Sequence, residues 1–480
     1  MAPFQDERQK LELKNAGEVV GRPMEFANQD EKERKSKELR VVSTVELQKH
    51  ASADDLWISI NGKVYDVTRW LPSHPGGEIP LLSLAGQDVT DTFLAFHPPS
   101  AAALLPRYLI GTLMDYQVSS LSSDYRSTLA DLKKAGIFRK DLSIYLLLFA
   151  LISLGICGSV AGVLLSDKWW VHIVSGLLLG CVWTQCGWIG HDAGHSPLIG
   201  KPFIDSCIGL LVGNCISGIS ISWWKRNHNA HHISCNSLEY DPDLQYIPLF
   251  AVSSKLFSSL HSYFYERKMT FDRIARILVS YQHWTFYPVM AVARINLFAQ
   301  TFILLLSNKK IQNRGMEITC ILFFWAWFIA LLSFLPNNLE RLTFILASFA
   351  VTGIQHVQFC LNHFSSPVYN ERPAGTAFVQ AQVNGTLNLS TPSWMDWFHG
   401  GLQFQVEHHL FPRLPRHNLR KISGLVKSLC AKHGLPYTSV SFWEANVMII
   451  HTLRSAALQA RDWSKPAPKN LLWEAVNAQG

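Results

Sequence analysis

Long apolar stretches alternate with polar ones along the chain, and this alternation predicts helices that cross a membrane. Four stretches contain no Asp, Glu, Lys or Arg, and each is long enough to span a hydrocarbon core of ~30 Å. They comprise residues 144–165, 169–190, 318–336 and 342–361. Two weaker stretches, 203–222 and 284–306, contain polar or charged residues, so we expect interfacial or buried helices there.

The predicted spans form two hairpins, which would place both termini on one side of the membrane. The short connections inside the hairpins carry only Lys168 and Arg341 as positive charges, whereas the segments between and after the hairpins are long and basic. Because cytosolic loops are enriched in Lys and Arg, we expect the long segments and both termini in the cytosol. Residues 1–40 contain no apolar run of a signal peptide, so insertion would depend on the first internal stretch.

The polar N-terminal part predicts a separate small module. Two short β-rich runs, 56–60 and 63–67, flank Asn61-Gly62, which is the pattern of a β-hairpin. Prolines, glycines and short helical patterns follow, so the module is expected to be α+β. The predicted domains are a disordered charged N-terminus (1–40), the α+β module (41–118), a linker with one short amphipathic helix (119–140) and an all-α membrane domain (141–480).

The composition agrees with a soluble module on a membrane body. Apolar residues make up 48% of the chain and charged residues 16%, which is below the usual share of about a quarter. The net charge is +7, but no Lys/Arg face with interleaved aromatic residues is present, so we expect no nucleic-acid partner. The basic excess fits the cytosolic loops of a membrane protein.

Two histidines in the module, His74 and His97, are candidate haem ligands. His74 is followed by Pro75-Gly76-Gly77, and Ala85-Gly86-Gln87-Asp88 and Phe93 precede His97. Two histidines 23 residues apart can reach opposite faces of a flat macrocycle, and the glycine pair lets the backbone approach it. Two axial imidazoles leave the iron no open position, so such a haem would transfer single electrons. Either histidine alone is typical of a protein surface, and only the combination favours haem.

Three clusters of polar residues follow the membrane pattern. In an α-helix, residues at i, i+3 and i+4 share one face, so each cluster presents its side chains together. All three would lie on the cytosolic side at similar depth, and their seven imidazoles exceed what one mononuclear metal site needs. The clusters are His191 and His195; His228, His231 and His232; and Gln405, His408 and His409.

The type of ligand alone does not choose the metal, because imidazole binds iron, zinc, copper and nickel. Two features favour iron. The chain carries its own one-electron donor, which zinc would not use, and attack on an unactivated lipid C–H bond needs an oxidant made from O2. A single HxxxH pattern often has no metal, but three clusters in this order are better explained by a metal site, since adjacent buried imidazoles are costly without a purpose.

Further residues near the clusters are candidates for the same site. His363, just past the fourth span, is an expected eighth ligand, with a solvent-facing histidine at a helix end as the alternative. His356 and His399 are expected to be structural or to lie outside the ligand set. Four carboxylates are candidates for orienting imidazole N–H groups, and the sequence does not rank them. They are Asp192, Asp241, Asp243 and Glu407.

The motifs carry a family resemblance. Residues 41–118 resemble cytochrome b5 through His-Pro-Gly-Gly, Ala-Gly-Gln-Asp and His97, and this resemblance implies His74 and His97 as ligands of haem b. From residue 41 onward, the chain resembles a front-end desaturase with a fused cytochrome b5, because HPGG, HxxxH, HxxHH and QxxHH follow in that order. The resemblance implies four transmembrane helices with a cytosolic cap that holds two non-haem iron ions, and O2 as co-substrate.

The same resemblance assigns residues and partners. It implies NADH-cytochrome b5 reductase as the electron source and the endoplasmic reticulum membrane as the location. Gln405 would take part directly or through water, and His363 would be a further ligand. The iron ligands would be His191, His195, His228, His231, His232, His408 and His409.

Within this family, the chain is most similar to plant sphingolipid long-chain-base Δ8 desaturases and to their relatives, the Δ6 acyl-lipid desaturases. The stretches 441–446 and 470–477 are more like the sphingoid branch, whereas Ser196-Pro197 after His195 departs from many relatives. We therefore expect the Δ8 bond of sphingolipid long-chain bases as the product, with a Δ6 acyl-lipid substrate as the alternative. A lipid hydroxylase on the same scaffold and a non-catalytic membrane haem carrier are the alternatives of other kinds.

Overall fold

The computed structural model describes residues 39–463, which divide into two compact units. The first unit runs to Arg126 and also includes the short segment Ala374–Phe378. The second unit contains Ser127–Pro373 and the residues from Val379 onward. The predicted domain boundaries at residues 40, 118 and 140 stay predictions.

Two sequence predictions fall on residues outside the described range. The predicted disordered segment, 1–40, lies outside it up to residue 38. The stretch 470–477, which resembles the sphingoid branch, lies outside it entirely. Only the companion stretch 441–446 can therefore be placed in the fold.

The first unit contains a five-stranded sheet, whose strands are β1 (Arg40–Val42), β2 (Ala51–Ser52), β3 (Asp55–Ile60), β4 (Lys63–Asp66) and β5 (Leu109–Leu113). The strand order is β1-β5-β4-β3-β2, with β1 and β5 parallel and the other neighbours antiparallel. Asn61 and Gly62 join β3 to β4 with φ of +50° and +71°, as a two-residue hairpin turn of this kind requires. The predicted hairpin is confirmed.

Short helices accompany this sheet: α1 (Thr44–Lys49), α2 (Glu78–Ser83) and α3 (Thr90–Phe96). The Ser43 hydroxyl accepts a hydrogen bond from the Glu46 N–H at 3.2 Å and so caps the start of α1. One buried apolar cluster of the unit contains Val42, Leu47, Trp57 and Val64. The predicted α+β module is therefore confirmed.

The remainder of the described chain is mostly helical. α4 (Ser120–Lys134) occupies the segment predicted to hold one amphipathic helix. The helices that follow are α5 (Leu142–Leu165), α6 (Trp169–His195), α7 (Pro202–Gly209), α8 (Ile221–Ser234), α9 (Arg273–Ser280), α10 (Gln282–Ala291), α11 (Arg294–Leu306), α12 (Arg314–Ser333), α13 (Asn338–His363), α14 (Phe378–Asn384), α15 (Asp396–His399), α16 (Gln405–Leu410), α17 (Arg416–Lys432) and α18 (Phe442–Asp462).

Four of these helices, α5, α6, α12 and α13, are long and apolar enough to cross a membrane. They coincide with the predicted spans but are longer. The Asn337 side chain accepts a hydrogen bond from the Glu340 N–H at 3.0 Å, so α13 begins at Asn338 and includes polar residues that were predicted as a loop. α6 continues to His195 and carries the first histidine cluster in its last turns.

The two weaker apolar stretches form bent helix pairs. A π-helix, Leu210–Ile216, continues α7, and the combined segment meets α8 at 105°. α10 and α11 meet at 69°. By length and composition, each pair also qualifies as one broken span, so the described residues contain four to six candidate spans. The predicted interfacial or buried position of these helices stays a prediction.

Glycines in α6 allow a close approach to α13. A Cβ on Gly176 would lie 2.6 Å from the carbonyl oxygen of Phe344, and one on Gly180 would lie 2.6 Å from that of Ser348. A larger residue at either position would push the two backbones apart. The close packing brings the C-terminal ends of both helices to the same end of the unit.

A second apolar core surrounds the C-terminal helix α18. Val279 of α9, Phe286 of α10, Leu361 of α13 and Ile449 of α18 are fully buried in it. Two small sheets complete the unit: β6 (His261–Ser262) with β7 (Arg267–Lys268), antiparallel, and β8 (Asn388–Ser390) with β9 (Ser439–Ser441), parallel. The second unit is therefore mostly helical, as predicted, with these two short strand pairs in addition to its helices.

Candidate metal centre

Four helices of the second unit bring all the predicted cluster residues together. α6 ends with the first cluster, α8 carries the second, α13 ends at His363 and α16 carries the third. His195 and His228 are half-buried, and the other members are buried. Residues from distant parts of the chain thus share one interior site.

The start of α8 is fixed by a buried carboxylate, Glu317 of α12. Its oxygens accept hydrogen bonds from Ser220 Oγ at 2.5 Å, from Asn214 Nδ2 at 3.1 Å and from the Ser222 hydroxyl. Ser220 is also the N-cap of α8, since its Oγ accepts from the Trp223 N–H at 3.0 Å. Glu317 therefore positions the helix that carries the second cluster.

Four histidines, which we call group A, form the first half of the site. Their ligand nitrogens all lie within 4.8 Å of one another. The Nε2 atoms of His195 and His228 are 2.9 Å apart. Converging imidazoles of this number suit one transition-metal ion. The members are His191, His195, His228 and His408.

Three further histidines, which we call group B, form the second half. His231, His363 and His409 place their ligand nitrogens within 4.8 Å of one another. The amide nitrogen of Gln405 lies 3.0 Å from His363 Nε2 and 3.1 Å from His409 Nε2. The structure thus places His363 beside Gln405 and His409 of the third cluster, and the role of His363 as a ligand stays a prediction.

His232 lies between the two groups. Its Nε2 is 3.0 Å from His228 Nε2 and 3.1 Å from His408 Nε2, both in group A. Its ring stacks on the ring of His409 in group B, with centroids 4.1 Å apart. The two groups are therefore adjacent, which is the arrangement that a two-metal site needs.

Outer hydrogen bonds fix the rings of group B. His231 Nδ1 lies 3.0 Å from both oxygens of Asp241, and His409 Nδ1 lies 2.7 Å from Gln382 Oε1. His363 Nδ1 donates to the Gly385 carbonyl at 3.1 Å. In a neutral imidazole, an Nδ1–H that is held in this way leaves Nε2 unprotonated and free to bind a metal.

The four candidate carboxylates, which the sequence did not rank, differ in their distance from the histidine rings. Asp241 contacts His231 directly, and Asp243 Oδ2 lies 3.6 Å from the same ring. Asp192 Oδ1 lies 3.8 Å from His191 Nδ1. Glu407 instead accepts from the Tyr437 hydroxyl at 2.5 Å and from an asparagine amide, and burial raises its pKa.

Sequence reasoning missed part of the surrounding shell. Gln382 binds both His409 and the backbone carbonyl of His232, the latter at 2.9 Å. Neither Gln382 nor Gly385 belongs to a histidine motif. The sequence around them shows only a short polar stretch, which does not mark either residue as a contact of the site. His356 and His399 are buried but belong to neither group, so their expected structural role stays a prediction.

Two observations indicate that the site fits metal ions. The Nε2 atom of His191 is buried and has no hydrogen-bond partner among residues 39–463. Burial lowers the pKa of His408 and His409 well below the ordinary value, so both imidazoles are neutral near pH 7. Neutral imidazoles whose nitrogen atoms converge repel one another unless a proton or a cation lies between them, and a metal ion supplies that charge.

The haem pair lies in the first unit. The rings of His74 and His97 face each other with centroids 5.9 Å apart. His74 Nδ1 donates to the Gly77 carbonyl at 2.7 Å, and His97 Nδ1 donates to the Phe93 carbonyl at 3.2 Å. A Cβ on Gly76 would lie 2.9 Å from His74 Cε1, so a larger residue at this position would clash with the ring. Each Nε2 is thereby left for an axial bond, and the pair fits a bis-histidine haem.

Comparison with known proteins agrees with both sites. Residues 168–441 match the family model for "Fatty acid desaturase", and residues 43–114 match that for "Cytochrome b5-like Heme/Steroid binding domain". The first match confirms the predicted oxidoreductase chemistry with two non-haem iron ions and O2, and the second confirms the predicted haem. The desaturase match also favours desaturation over the hydroxylase and haem-carrier alternatives.

Individual relatives extend over most of the chain. The Delta(8)-fatty-acid desaturase of Helianthus annuus is 54% identical, over 92% of this chain and 96% of the relative. The Acyl-lipid (9-3)-desaturase of Borago officinalis is 53% identical, over 92% and 99%. The Delta 8-(E)-sphingolipid desaturase of Kluyveromyces lactis is 37% identical, over 75% and 63%. The chain therefore belongs to the fatty acid desaturase family, in the branch that carries a fused cytochrome b5-like domain ahead of the desaturase body.

Proposed function

We propose that this protein is an O2-dependent membrane desaturase that introduces the Δ8 double bond into sphingolipid long-chain bases. The observation that carries the proposal is the pair of adjacent histidine groups, A and B, in a chain that also holds the His74–His97 pair. Two neighbouring metal positions and a one-electron carrier are what the removal of hydrogen from an unactivated chain requires.

The choice of substrate rests on the relatives. Desaturases named for the Δ8 position match this chain at 54% identity, and one named for a sphingolipid substrate matches at 37%. The second candidate is a Δ6 acyl-lipid substrate, because the Acyl-lipid (9-3)-desaturase is 53% identical over nearly the same length. The sphingoid-like stretch 441–446 at the start of α18 favours the first candidate.

We assign one iron ion to group A and the other to group B. His232 lies within reach of both groups, and Gln405 faces group B directly or through a water molecule. Iron ions bound there would supply oxygen activation, and a haem bound by His74 and His97 would supply electrons one at a time. Residues of the chain would supply the remaining requirements, which are the orientation of the histidines and the exclusion of water.

Residues of the chain orient the histidines and limit the access of water to the site. Asp241 and Gln382 accept hydrogen bonds from imidazole Nδ1–H groups and so keep each ring oriented when charge at the site changes. Most of the histidine side chains are buried, and His195 and His228 are half-buried, so bulk water has limited access to the site. Removal of two hydrogens from adjacent carbons with O2 takes up two electrons and two protons and releases two water molecules.

The membrane arrangement is part of the proposal. The four long apolar helices α5, α6, α12 and α13 would span the bilayer, with the histidine groups in a cap on the cytosolic side and both termini in the cytosol. NADH-cytochrome b5 reductase would reduce the haem, and the endoplasmic reticulum would be the host membrane. Short hairpin connections that carry few positive charges support this orientation.

Expression in a host that lacks the activity tests the function. The full chain is expected to produce Δ8-unsaturated long-chain bases, and the matched His231→Ala chain is expected to produce none. Lipid and long-chain-base profiling measures both. Unchanged sphingoid bases together with new Δ6 fatty acids would establish the second candidate, and hydroxylated products would exclude both candidates.

A further inference from the structure

A narrow cleft that opens to solvent lies beside group A in the second unit. Three group A histidines, His191, His195 and His408, line it together with the basic residues Lys140, Arg413 and Arg416. Its interior has room for about one water-sized group, so a ligand would enter it with one small polar group and leave the rest of the molecule outside. The cleft is therefore a place where the polar end of a substrate can lie next to the metal site.

The cleft carries an excess of positive charge. Among its lining residues, the three basic side chains face a single carboxylate, that of Asp192. Asp192 Oδ2 lies 3.3 Å from Arg416 Nε and also accepts from the Tyr145 hydroxyl at 3.0 Å. One carboxylate cannot neutralise three cations, so the cleft favours an anionic ligand.

Two of the cations keep hydrogen-bond donors for a ligand. Arg416 Nη1 is buried and has no hydrogen-bond partner within the described range. Lys140 Nζ donates to the carbonyl oxygens of Ser196, at 2.9 Å, and Pro197, which leaves the third N–H of the ammonium group. A buried guanidinium donor without a partner is costly unless a ligand satisfies it.

A helix N-terminus adds to this charge. α17 begins at Arg416, and its N-cap residue, Pro415, provides no side-chain hydrogen bond to the first turn. Pro415 and Leu414 both line the cleft, so the uncapped end of this long helix faces the same space. The first turn of a helix presents backbone N–H groups and a partial positive charge, both of which favour an oxyanion.

We propose that this cleft binds the phosphate oxyanion of a lipid head group through Arg416, Lys140 and the N-terminus of α17. The inference rests on the proposed function and deepens it, because it assigns the substrate to the class of phosphate-bearing lipids. Arg416 contacts Asp192, which in turn contacts His191, so a phosphate bound there lies close to group A.

Equilibrium binding to the purified full-length holoenzyme tests the proposal without any need for turnover. The probes are ceramide phosphate and ceramide with identical chains, each competing with a fluorescent lipid in detergent micelles. The wild-type protein is expected to prefer ceramide phosphate. In Arg416→Gln and Lys140→Gln, the Kd for ceramide phosphate is expected to rise roughly tenfold or more, while the Kd for ceramide stays within about twofold.

Matched variants separate this effect from general damage. Lys427→Gln removes the same charge from an exposed position of α17 outside the cleft and is expected to change neither Kd. Arg416→Lys keeps the charge and is expected to retain part of the preference. Non-haem iron content equal to that of the wild type shows that group A is intact. If Arg416→Gln does not fold, Lys140→Gln carries the test.

Several outcomes would overturn the proposal. Equal affinity of the wild-type protein for both lipids, or equal weakening of both by Arg416→Gln, excludes a phosphate site. Displacement of ceramide phosphate by inorganic phosphate at equimolar concentration would assign the cleft to free phosphate. Slower haem reoxidation in Arg416→Gln with unchanged lipid binding would assign it to the electron donor. Selective phosphate-lipid binding without any desaturated product would count against the proposed function alone.

Discussion

The haem pair and the paired histidine groups use the same side chain but are built by different parts of the chain. His74 and His97 come from one small module, and backbone carbonyls of neighbouring residues orient both rings. Groups A and B draw on four helices, and the orienting partners of group B include the side chains of Asp241 and Gln382. The first site therefore depends on local folding, whereas the second depends on long-range packing.

This difference teaches which perturbations each site can tolerate. A backbone carbonyl cannot be mutated away, so substitutions near the haem pair act mainly through sterics, as at Gly76. A side-chain partner can be removed by one substitution, so group B is sensitive at positions outside its own ligand set. We therefore expect variants that damage one site and leave the other intact, in both directions.

The largest expected effect comes from His231→Ala. It removes a group B ligand and leaves the Asp241 carboxylate without its imidazole partner, so desaturated product should fall at least about a hundredfold. The Soret band of the haem should stay at wild-type intensity, because that site is local. Lipid profiling and an absorption spectrum of the same preparation measure both. Product at wild-type levels in this variant would contradict the assignment of group B.

His97→Ala is the reciprocal variant. Loss of one axial imidazole should abolish the bis-histidine haem spectrum, while the non-haem iron content stays at the wild-type value. Desaturation should fall about as far as in His231→Ala, because no electrons arrive, but separate soluble cytochrome b5 should restore part of it. His231→Ala should show no such rescue. Rescue of both variants, or of neither, would break the distinction between the two sites.

A smaller effect is expected from Asp241→Asn. Asp241 is buried, and its two oxygens also accept backbone N–H bonds from Asn236 and Asp243 at 2.9 Å, so an asparagine would keep the size of the side chain but lose one of these bonds and the charge that orients His231. Iron affinity should weaken about tenfold to a hundredfold, as measured by chelator competition. Asp243→Asn is the matched control, because its carboxylate lies farther from the ring, at 3.6 Å. An effect at Asp243 as large as that at Asp241 would show that general charge, rather than orientation, is what matters.

The sequence predicts the ligands of both sites far better than it predicts their supports. Histidines at helical spacing can be recognised in the sequence, because few other roles favour HxxHH in an apolar context. The structure places the histidines of these motifs close together and beside His363. Gln382 and the Gly385 carbonyl could not be predicted, because an outer contact depends on where a distant segment folds back. Short motifs therefore reveal the residues of a site, whereas long-range packing leaves no local pattern from which its outer contacts could be predicted.

The same limit applies to the fold. Hydropathy located the four long helices, but capping decided where they begin, as with Asn337 and the polar first turn of α13. The short parallel pair β8–β9 brings together segments about fifty residues apart in the chain, and neither segment alternates strongly enough to predict a strand. The bends of 105° between α7 and α8 and of 69° between α10 and α11 likewise have no counterpart in the hydropathy pattern.

Glu317→Gln should produce the smallest change in stability and iron content. It is also the sharpest test of the contrast between the haem pair and groups A and B. The amide keeps the size of the carboxylate but loses its charge, and its NH2 group takes the place of one acceptor oxygen, so either Asn214 and Ser220 or Ser222 loses its acceptor. We expect a loss of ~1–3 kcal/mol in the stability of the second unit and a modest fall in iron content, because Ser220 caps α8 less firmly. Glu371→Gln, at an exposed position, is the control and should change neither quantity. Thermal unfolding followed separately by the Soret band and by iron release measures the effect. If the haem site melts earlier in Glu317→Gln, the two sites are coupled in stability and the contrast between local and long-range construction is too simple.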